Sequence, residues 1–426
     1  MSELRSGPSM WGMDWRTAPL ELRERLALGD AAAVSGLLEQ LAGPAVVLAT
    51  CHRIEVYVER PEQLGPALEA LARRGGVSLA ALHAHGTERH GEACVRHLLE
   101  VASGLQSAVM GEPQILGQVR DALGLARRVR PPGPVLGTLF ERAVHAGKRV
   151  RTETALGSAS PSLAREAVRR AAEGGVDLTT ARVLVVGSGE TAMLAAREAV
   201  AAGARSVRFC ARRPEQALQA ARALLQRRGG AEVALDAAPM AALPELLAQA
   251  DLVVSATSAP GTVVAAAWLV EAVRARAAAG APALWVVDLA VPRDVEVPEP
   301  LPEGLRLVGI DEVARAADGR ASGGAAGEEL AAAMAIVGQE TAGFMEWLRQ
   351  RQAAPAVVAM RRRAEAVRAE ELEWALRRLD GRLEPQDREV LEAMTRRLTN
   401  KLLHLPTLYL KRVASEAGDE RQEKAG

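Results

Sequence analysis

Thr50-Cys51-His52-Arg53-Ile54-Glu55 gathers a hydroxyl, a thiol, an imidazole, a guanidinium and a carboxylate in one short stretch. Two strands meet at this thiol, which with polar and charged groups within a few residues could be a reactive site. The plainer role is that Cys51 is a small buried hydrophobe, as most free cysteines are. Cys94 and Cys210 complete the cysteines, too few and too scattered for a disulfide framework or a zinc site. No metal is expected, and a reducing cytoplasm is the natural setting.

A second polar group lies in the segment from Gly104 to Gln118, where Ser107, Glu112, Gln114 and Gln118 are embedded among apolar residues. Such a half-buried polar loop either recognises a ligand or hydrogen-bonds its own backbone. Gly111-Glu112-Pro113 must interrupt any helix there, because proline disfavours helical geometry in the residue before it. Upstream, His97, Val101, Gly104 and Ala108 fall near one helical stripe. His97 is either a satisfied core histidine or a functional one.

The third group is Gly187-Ser188-Gly189-Glu190-Thr191-Ala192. It follows the apolar run Ala181 to Val186 and precedes a helical run from Met193 to Ala202. A Gly-x-Gly-x-x-Ala turn between strand and helix is the dinucleotide fingerprint: the glycines admit a pyrophosphate to the helix N-terminus. The second strand, Ser206 to Cys210, ends in Ala211-Arg212-Arg213-Pro214. Two guanidinium groups with no carboxylate fit a ribose 2′-phosphate, so the expected cofactor is NADPH over NADH.

These groups need elements to hold them. Residues 8 to 60 read as strand, helices, strand, strand, with a helix starting at Leu20, a break at Gly29-Asp30 and helix again to Leu41. Pro44 to Leu48 leads into Cys51, and beyond it Arg53, Glu55 and Tyr57 share one strand face while Ile54, Val56 and Val58 share the other. If that alternation reaches back to Cys51, the thiol, Arg53 and Glu55 point the same way. Strands at Leu252 to Ser255 and Leu284 to Leu289 extend an α/β sheet whose loops would face the cofactor. After Asp311 the pattern is almost wholly helical. The Gly-rich patch Gly319 to Gly327 reads as a loop or frayed start, followed by a helix from Glu328 to Leu379 interrupted by Pro355. A second helix runs from Glu389 to Leu403, and the tail from Ser415 reads as disordered.

Composition sets the frame. The 426 residues are 49% hydrophobic and 25% charged, which suits a soluble chain of about two to four domains. No apolar run is long enough to span a membrane, and the first residues lack a secretory layout. Net charge is zero, so any nucleic-acid contact must be local. Arg120, Arg127, Arg128, Arg130, Arg142, Lys148, Arg149 and Arg151 form one candidate patch, though basic runs are usually solvated faces.

Taken together the chain resembles the glutamyl-tRNA reductase family. The likeness rests on Thr17-Ala18-Pro19 with Leu22-Arg23-Glu24-Arg25, on Thr50-Cys51-His52-Arg53, and on Gly104 through Gln118 with its specific Gly-Glu-Pro-Gln-Ile-Leu-Gly-Gln. It continues through Gly147 to Thr154, the turn at Gly187, Asp288 to Asp294 and Asn400 to Pro406. The resemblance implies an α/β multidomain fold: an α+β N-terminal catalytic domain over residues 1–153, a Rossmann-type NADP-binding domain over 154–311, and a long-helix dimerisation domain over 312–414, then a tail over 415–426. It implies that Cys51 is the nucleophile, that His97 matters for activity, and that Thr50, His52, Arg53, Ser107, Glu112, Pro113, Gln114 and Gln118 hold glutamate. Gly187, Ser188, Gly189, Glu190, Thr191, Ala192, Arg212 and Arg213 would hold NADPH.

The implied reaction takes glutamate esterified to its tRNA. Cys51 displaces the tRNA to form a thioester, and hydride from NADPH yields glutamate-1-semialdehyde, the first step of the five-carbon route to 5-aminolevulinate and tetrapyrroles. The implied partners are charged tRNA for glutamate, a second copy of the chain, and the aminomutase that takes the aldehyde. The sequence departs from the family in places: His52 stands where Asn is usual, Ile54 for Thr, Gln106 for Asp, and Asp14-Trp15-Arg16 for Asn-His-Lys. Two rival classes remain to be separated: a shikimate dehydrogenase-like enzyme of a free metabolite, and a non-catalytic NADP-binding scaffold.

Overall fold

A computed structural model describes residues 7–112, 114–156, 162–225, 233–318, 326–379 and 383–423. Pro113, the glycine-rich stretch 319–325 and the last three residues of the tail lie outside them. The chain divides into two compact units, Met1–Glu340 and Thr341–Gly426.

The first unit holds two sheets. The smaller is antiparallel, built from β1 (Ser9–Asp14), β2 (Ala45–Ala49), β3 (Arg53–Val58) and β4 (Thr87–His90) in the order β2-β3-β1-β4. Every residue of β3 is buried, because helices cover both its faces. The apolar face supplies Ile54, Val56 and Val58 to the core, and Tyr57 meets Phe140 edge to face at 5.2 Å. The helix Leu20–Leu26 and the helix Ala31–Gln40 fill the connection between β1 and β2, as the periodicity predicted.

The larger sheet is wholly parallel, with strands β5 (Arg182–Val186), β6 (Ser206–Ala211), β7 (Ala234–Pro239), β8 (Leu252–Ser255), β9 (Leu284–Asp288) and β10 (Leu305–Gly309). Their order, β10-β9-β8-β5-β6-β7, is that of a Rossmann-type domain, and it reverses between β5 and β8. Val183, Val185, Val254 and Val287 pack on one face, and Leu184, Val186, Val253 and Val286 on the other. Burial on both faces explains the continuous apolar runs. Sequence reading missed β4, β7 and β10, whose short or polar segments owe their extended form to a paired neighbour.

Three helix limits differ from expectation. The helix after the glycine turn begins at Glu190, not Met193, so its free amides open directly on the turn. The helix carrying His97, Gly91–Ala102, ends before Gly104, which therefore shares no stripe with it. The second unit is almost wholly helical over its described residues. The helix Ala326–Arg378 runs unbroken through Pro355, and the helix Pro385–Glu423 runs through Pro406. The expected disordered tail from Ser415 is helical as far as Glu423. Val390, Met394, Leu398 and Leu402 recur at helical spacing in this unit and are exposed.

Candidate active site

Cys51 and His52 form the tip of the hairpin between β2 and β3. Thr50 shapes the tip: its N–H donates to the carbonyl of Arg53 at 2.9 Å, and its Oγ1 accepts from the N–H groups of His52 and Arg53 at 3.2 Å each. The two tip carbonyls are also held. That of Cys51 accepts from Arg23 Nη1 at 3.0 Å, and that of His52 from the Trp15 N–H at 2.9 Å. Arg23 is buried and reaches onward to Asp311, so the helix Leu20–Leu26 connects the thiol turn to the segment following β10. Arg23 lay in a quoted motif, yet its spacing from Cys51 gave no sign of this contact.

The sulfur is half-buried and lines a cavity of about 220 Å³. Thr50, Glu112 and Gln114 line it from the N-terminal region, with Thr191, Ala256, Thr257, Ser258 and Leu289 to Pro292 from the Rossmann-type domain. Cys51 Sγ lies 3.0 Å from His52 Nδ1. Burial, with the Glu112 carboxylate adding to it, pushes the thiol up to about 12. Burial and the charges of Arg23, Arg53 and Arg16 push the His52 imidazole down to about 3, so both groups are neutral at pH 7. Burial also raises Glu112, with the Glu190 carboxylate contributing, to about 7.

Arg53 and Glu55 do share a face of β3, but they turn toward each other. Arg53 Nη1 donates to Glu55 Oε1 at 2.8 Å, Tyr57 donates to Glu55 Oε2 at 2.6 Å, and His97 Nε2 lies 2.8 Å from Glu55 Oε1. Burial alone would raise the Glu55 carboxyl; its bonds and charges with His97, Arg53 and Tyr57 outweigh that and hold it well below the usual carboxylate range. Gly12, facing Glu55 across the ladder, leaves room for this network: a Cβ there would stand 2.7 Å from Glu55 Cγ. Neither Arg53 nor His97 lines the Cys51 cavity.

The loop after the His97 helix is shaped by two glycines. Gly104 (φ +77°) and Gly111 (φ +78°) are left-handed, and the Gly111 N–H donates to the Gly104 carbonyl at 3.0 Å. Arg53 Nη2 caps the carbonyl of Gln106, and Arg151 Nη2 that of Glu112 at 3.1 Å. Glu112 and Gln114 thereby reach the cavity, whereas Ser107 and Gln118 do not line it. Three members of the basic patch are ion-paired: Arg120 with Asp121, Arg127 with Glu141, and Arg149 with Glu153 and Glu340.

A second cavity, of about 860 Å³, opens at the switch point between β5 and β8. Gly187, Ser188, Gly189, Glu190, Thr191, Arg212 and Arg213 all line it. Gly187 (φ +113°) passes so close to β8 that a Cβ would meet the Ala256 carbonyl at 2.6 Å, and no protein atom lies within 4 Å of a Cβ at Gly189. Ala192 is fully buried and packs its helix on the sheet, in place of the third fingerprint glycine. Free amides at the start of Glu190–Ala201 and two exposed guanidinium groups fit a dinucleotide carrying an extra phosphate.

The two cavities share Thr191, Ala256, Thr257 and Ser258. Two buried aspartates hold these shared walls. Asp294 accepts from Ser255 Oγ at 2.7 Å and the Thr257 N–H at 2.8 Å; Asp288 accepts from the N–H groups of Ala290, Asp294 and Val295. Arg293, between them, donates to Glu24 at 2.8 Å. Among the described residues no group of three or more His, Cys, Asp or Glu is placed to hold a metal ion. Nor is any helix long and apolar enough to cross a membrane.

Comparison with known proteins accords with this geometry. Residues 11–154 match the family model "Glutamyl-tRNAGlu reductase, N-terminal domain", residues 332–425 the dimerisation domain of the same enzyme, and residues 166–316 "Shikimate / quinate 5-dehydrogenase". The glutamyl-tRNA reductase of Chloroflexus aurantiacus is 37% identical over 431 residues, covering 96% of each chain. That of Rubrobacter xylanophilus is 39% identical over 419 residues, covering 96% of this chain and 92% of the relative. A solved glutamyl-tRNA reductase from Methanopyrus kandleri is 28% identical, with 96% of this chain and 99% of that one covered and a TM-score of 0.45.

Proposed function

The chain belongs to the glutamyl-tRNA reductase family and is therefore an oxidoreductase, and from that premise we propose the reaction it carries out. Glutamate esterified to its tRNA is attacked by Cys51, which takes the glutamyl group as a thioester and releases the tRNA. NADPH, when bound, supplies the hydride that reduces this acyl group. Cys51 then releases glutamate-1-semialdehyde, the first step of the route to 5-aminolevulinate and tetrapyrroles.

The observation that carries this reading is the shared wall of the two cavities. Thr191, Ala256, Thr257 and Ser258 border both the space at the Cys51 sulfur and the space at the glycine turn. A thiol-bound acyl group and a nicotinamide would meet there, shielded from water. Glu112 and Gln114 face the acyl site; Thr50 acts through the hairpin tip, and Arg53 with His97 through the Glu55 network behind it. Ser107, His52, Pro113 and Gln118 are the remaining residues proposed for glutamate, although Ser107, His52 and Gln118 do not line the cavity and Pro113 lies outside the described residues. Arg212 and Arg213 favour NADPH over NADH through the 2′-phosphate.

The domains follow the same division: residues 1–153 bind glutamyl-tRNA, 154–311 bind NADPH, and 312–414 pair two copies. The dimerisation-model match and the exposed Val390, Met394, Leu398 and Leu402 support a homodimer. A free thiol nucleophile suits the cytoplasm, and the unstable aldehyde suits transient contact with an aminomutase.

The test is mass spectrometry of Cys51 after mixing with glutamyl-tRNA and no reductant. A glutamyl adduct on that residue is the expected result, and its absence overturns the thioester route. The match to a shikimate dehydrogenase-type domain favours a second reading, a dehydrogenase of a free metabolite. That enzyme would survive alkylation of Cys51, whereas the reductase would not.

A further inference from the structure

We propose that His52 is a catalytic residue in this chain, taking the Cys51 thiol proton as the sulfur attacks and returning it to the departing ribose oxygen. The inference rests on the thioester reading above and deepens it. Its basis is geometric. Cys51 Sγ and His52 Nδ1 are 3.0 Å apart at the tip of one hairpin. The ring is set by backbone anchors on both sides: the His52 N–H donates to Thr50 Oγ1 at 3.2 Å and its carbonyl accepts from the Trp15 N–H at 2.9 Å. The residue is 5% exposed, and Nε2 has no hydrogen-bond partner among the described residues.

The tautomer follows from the neighbours. Burial keeps the sulfur protonated, so S–H donates, Nδ1 accepts, and the ring proton sits on Nε2. A histidine held only for structure would pair its second nitrogen as well. Among the described residues the ring makes a single polar contact, and that contact is to the reacting atom. An asparagine amide in its place could accept from S–H but could not carry the proton away.

The step balances without a further reactant. The S–H bond breaks and its proton goes to Nδ1; the sulfur lone pair forms the C–S bond. The C–O bond to the ribose then breaks, and the proton on Nδ1 passes to that oxygen, leaving tRNA with a free hydroxyl and His52 neutral. Charged groups face the ring from several elements: Arg16 after β1, Arg23 on Leu20–Leu26 and Arg53 on β3, with Glu112 acting on Cys51 from across the cavity. Burial and these cations disfavour the imidazolium, and burial disfavours the thiolate, so the proton must move in concert with C–S bond formation rather than before it.

The experiment uses the full chain, labelled glutamyl-tRNA and no NADPH, and follows label on protein in single turnovers from pH 6 to 10. His52→Asn and His52→Ala should load at least about 100-fold more slowly near pH 7.5. Their rates should climb steadily toward pH 10, and added imidazole should restore part of the rate in His52→Ala only. NADPH affinity, measured in parallel, should stay within about twofold, consistent with an intact fold. Loading by His52→Asn at the unaltered rate overturns the proposal. No label on the unaltered chain, or label retained in Cys51→Ser, overturns the thioester reading instead. If neither variant folds, nitrogen-15 resonances of the unaltered chain decide: a bare Nδ1 supports the proposal, and a proton on it refutes it.

Discussion

Arg53 Nη1 donates to Glu55 Oε1 at 2.8 Å, and both side chains are about 2% exposed, two places apart on one face of β3. The Arg53 guanidinium also reaches the Gln106 carbonyl, so it ties β3, where the thiol turn ends, to the loop that carries Glu112.

Removing one member of that network should cost far more than removing both. Glu55→Gln leaves Arg53 buried without a full counter-charge, for a loss of about 3–5 kcal/mol. Replacing Arg53 and Glu55 together by Met and Leu should cost less than the single change. Urea unfolding of the two variants checks this, and a Glu55→Gln loss below about 1 kcal/mol would contradict the arrangement.

The Cys51 thiol should react slowly with iodoacetamide at neutral pH in the ligand-free chain, and its rate should still be rising at pH 10. Burial and Glu112 push its pKa up to about 12, whereas an ordinary thiol is mostly ionised by about pH 9. Glu112→Gln removes one of those causes and should shift the profile to lower pH. A plateau near pH 9 in the unaltered chain would show that the sulfur is not held as described.

Glu112 also links stability to pH. Its folded pKa of about 7 lies above the usual value of 4.5, so the fold favours the protonated form. That contribution is fully present below pH 4.5 and is lost as pH rises through 7, on the order of 3 kcal/mol. Chemical denaturation from pH 4.5 to 8 should show Glu112→Gln losing less stability over this window than the unaltered chain; parallel curves would rule the effect out.

If the proposed 2′-phosphate contact holds, charge reversal at Arg212 or Arg213 should weaken NADPH binding about 10–100-fold and leave NADH binding nearly unchanged. Fluorescence titration with both nucleotides measures the ratio, and an equal loss for both would point to damage at the turn itself.

Gly104→Ala should destabilise the chain by roughly 1–3 kcal/mol, because the residue needs φ +77° and its Cβ would stand 2.9 Å from Gly111 Cα. An unchanged urea midpoint would show that the loop can relax without the left-handed pair.

Much of this was legible in the chain as written, wherever local chemistry dictates local geometry. The period-two run Arg53 to Val58 put Arg53, Glu55 and Tyr57 on one face; Gly187 and Gly189 after an apolar run announced a strand, a tight turn and a helix. Segments without such signals escaped notice. The polar Thr87–His90 is extended because it pairs with β1, and the helix Pro385–Glu423 runs through Pro406 and past Ser415 despite a proline and a polar tail.

The site divides in the same way. Residue types and spacing put a thiol and an imidazole at a hairpin tip, with a guanidinium at the start of the next strand, because only three residues separate the paired strands. What each group does was decided by folding. Burial made the sulfur a weak acid, Glu55 claimed Arg53 and His97, and the wall from Thr191 to Pro292 closed over Cys51 from far along the chain. Protonation and pairing depend on desolvation and on distant neighbours, and neither exists until the chain is packed.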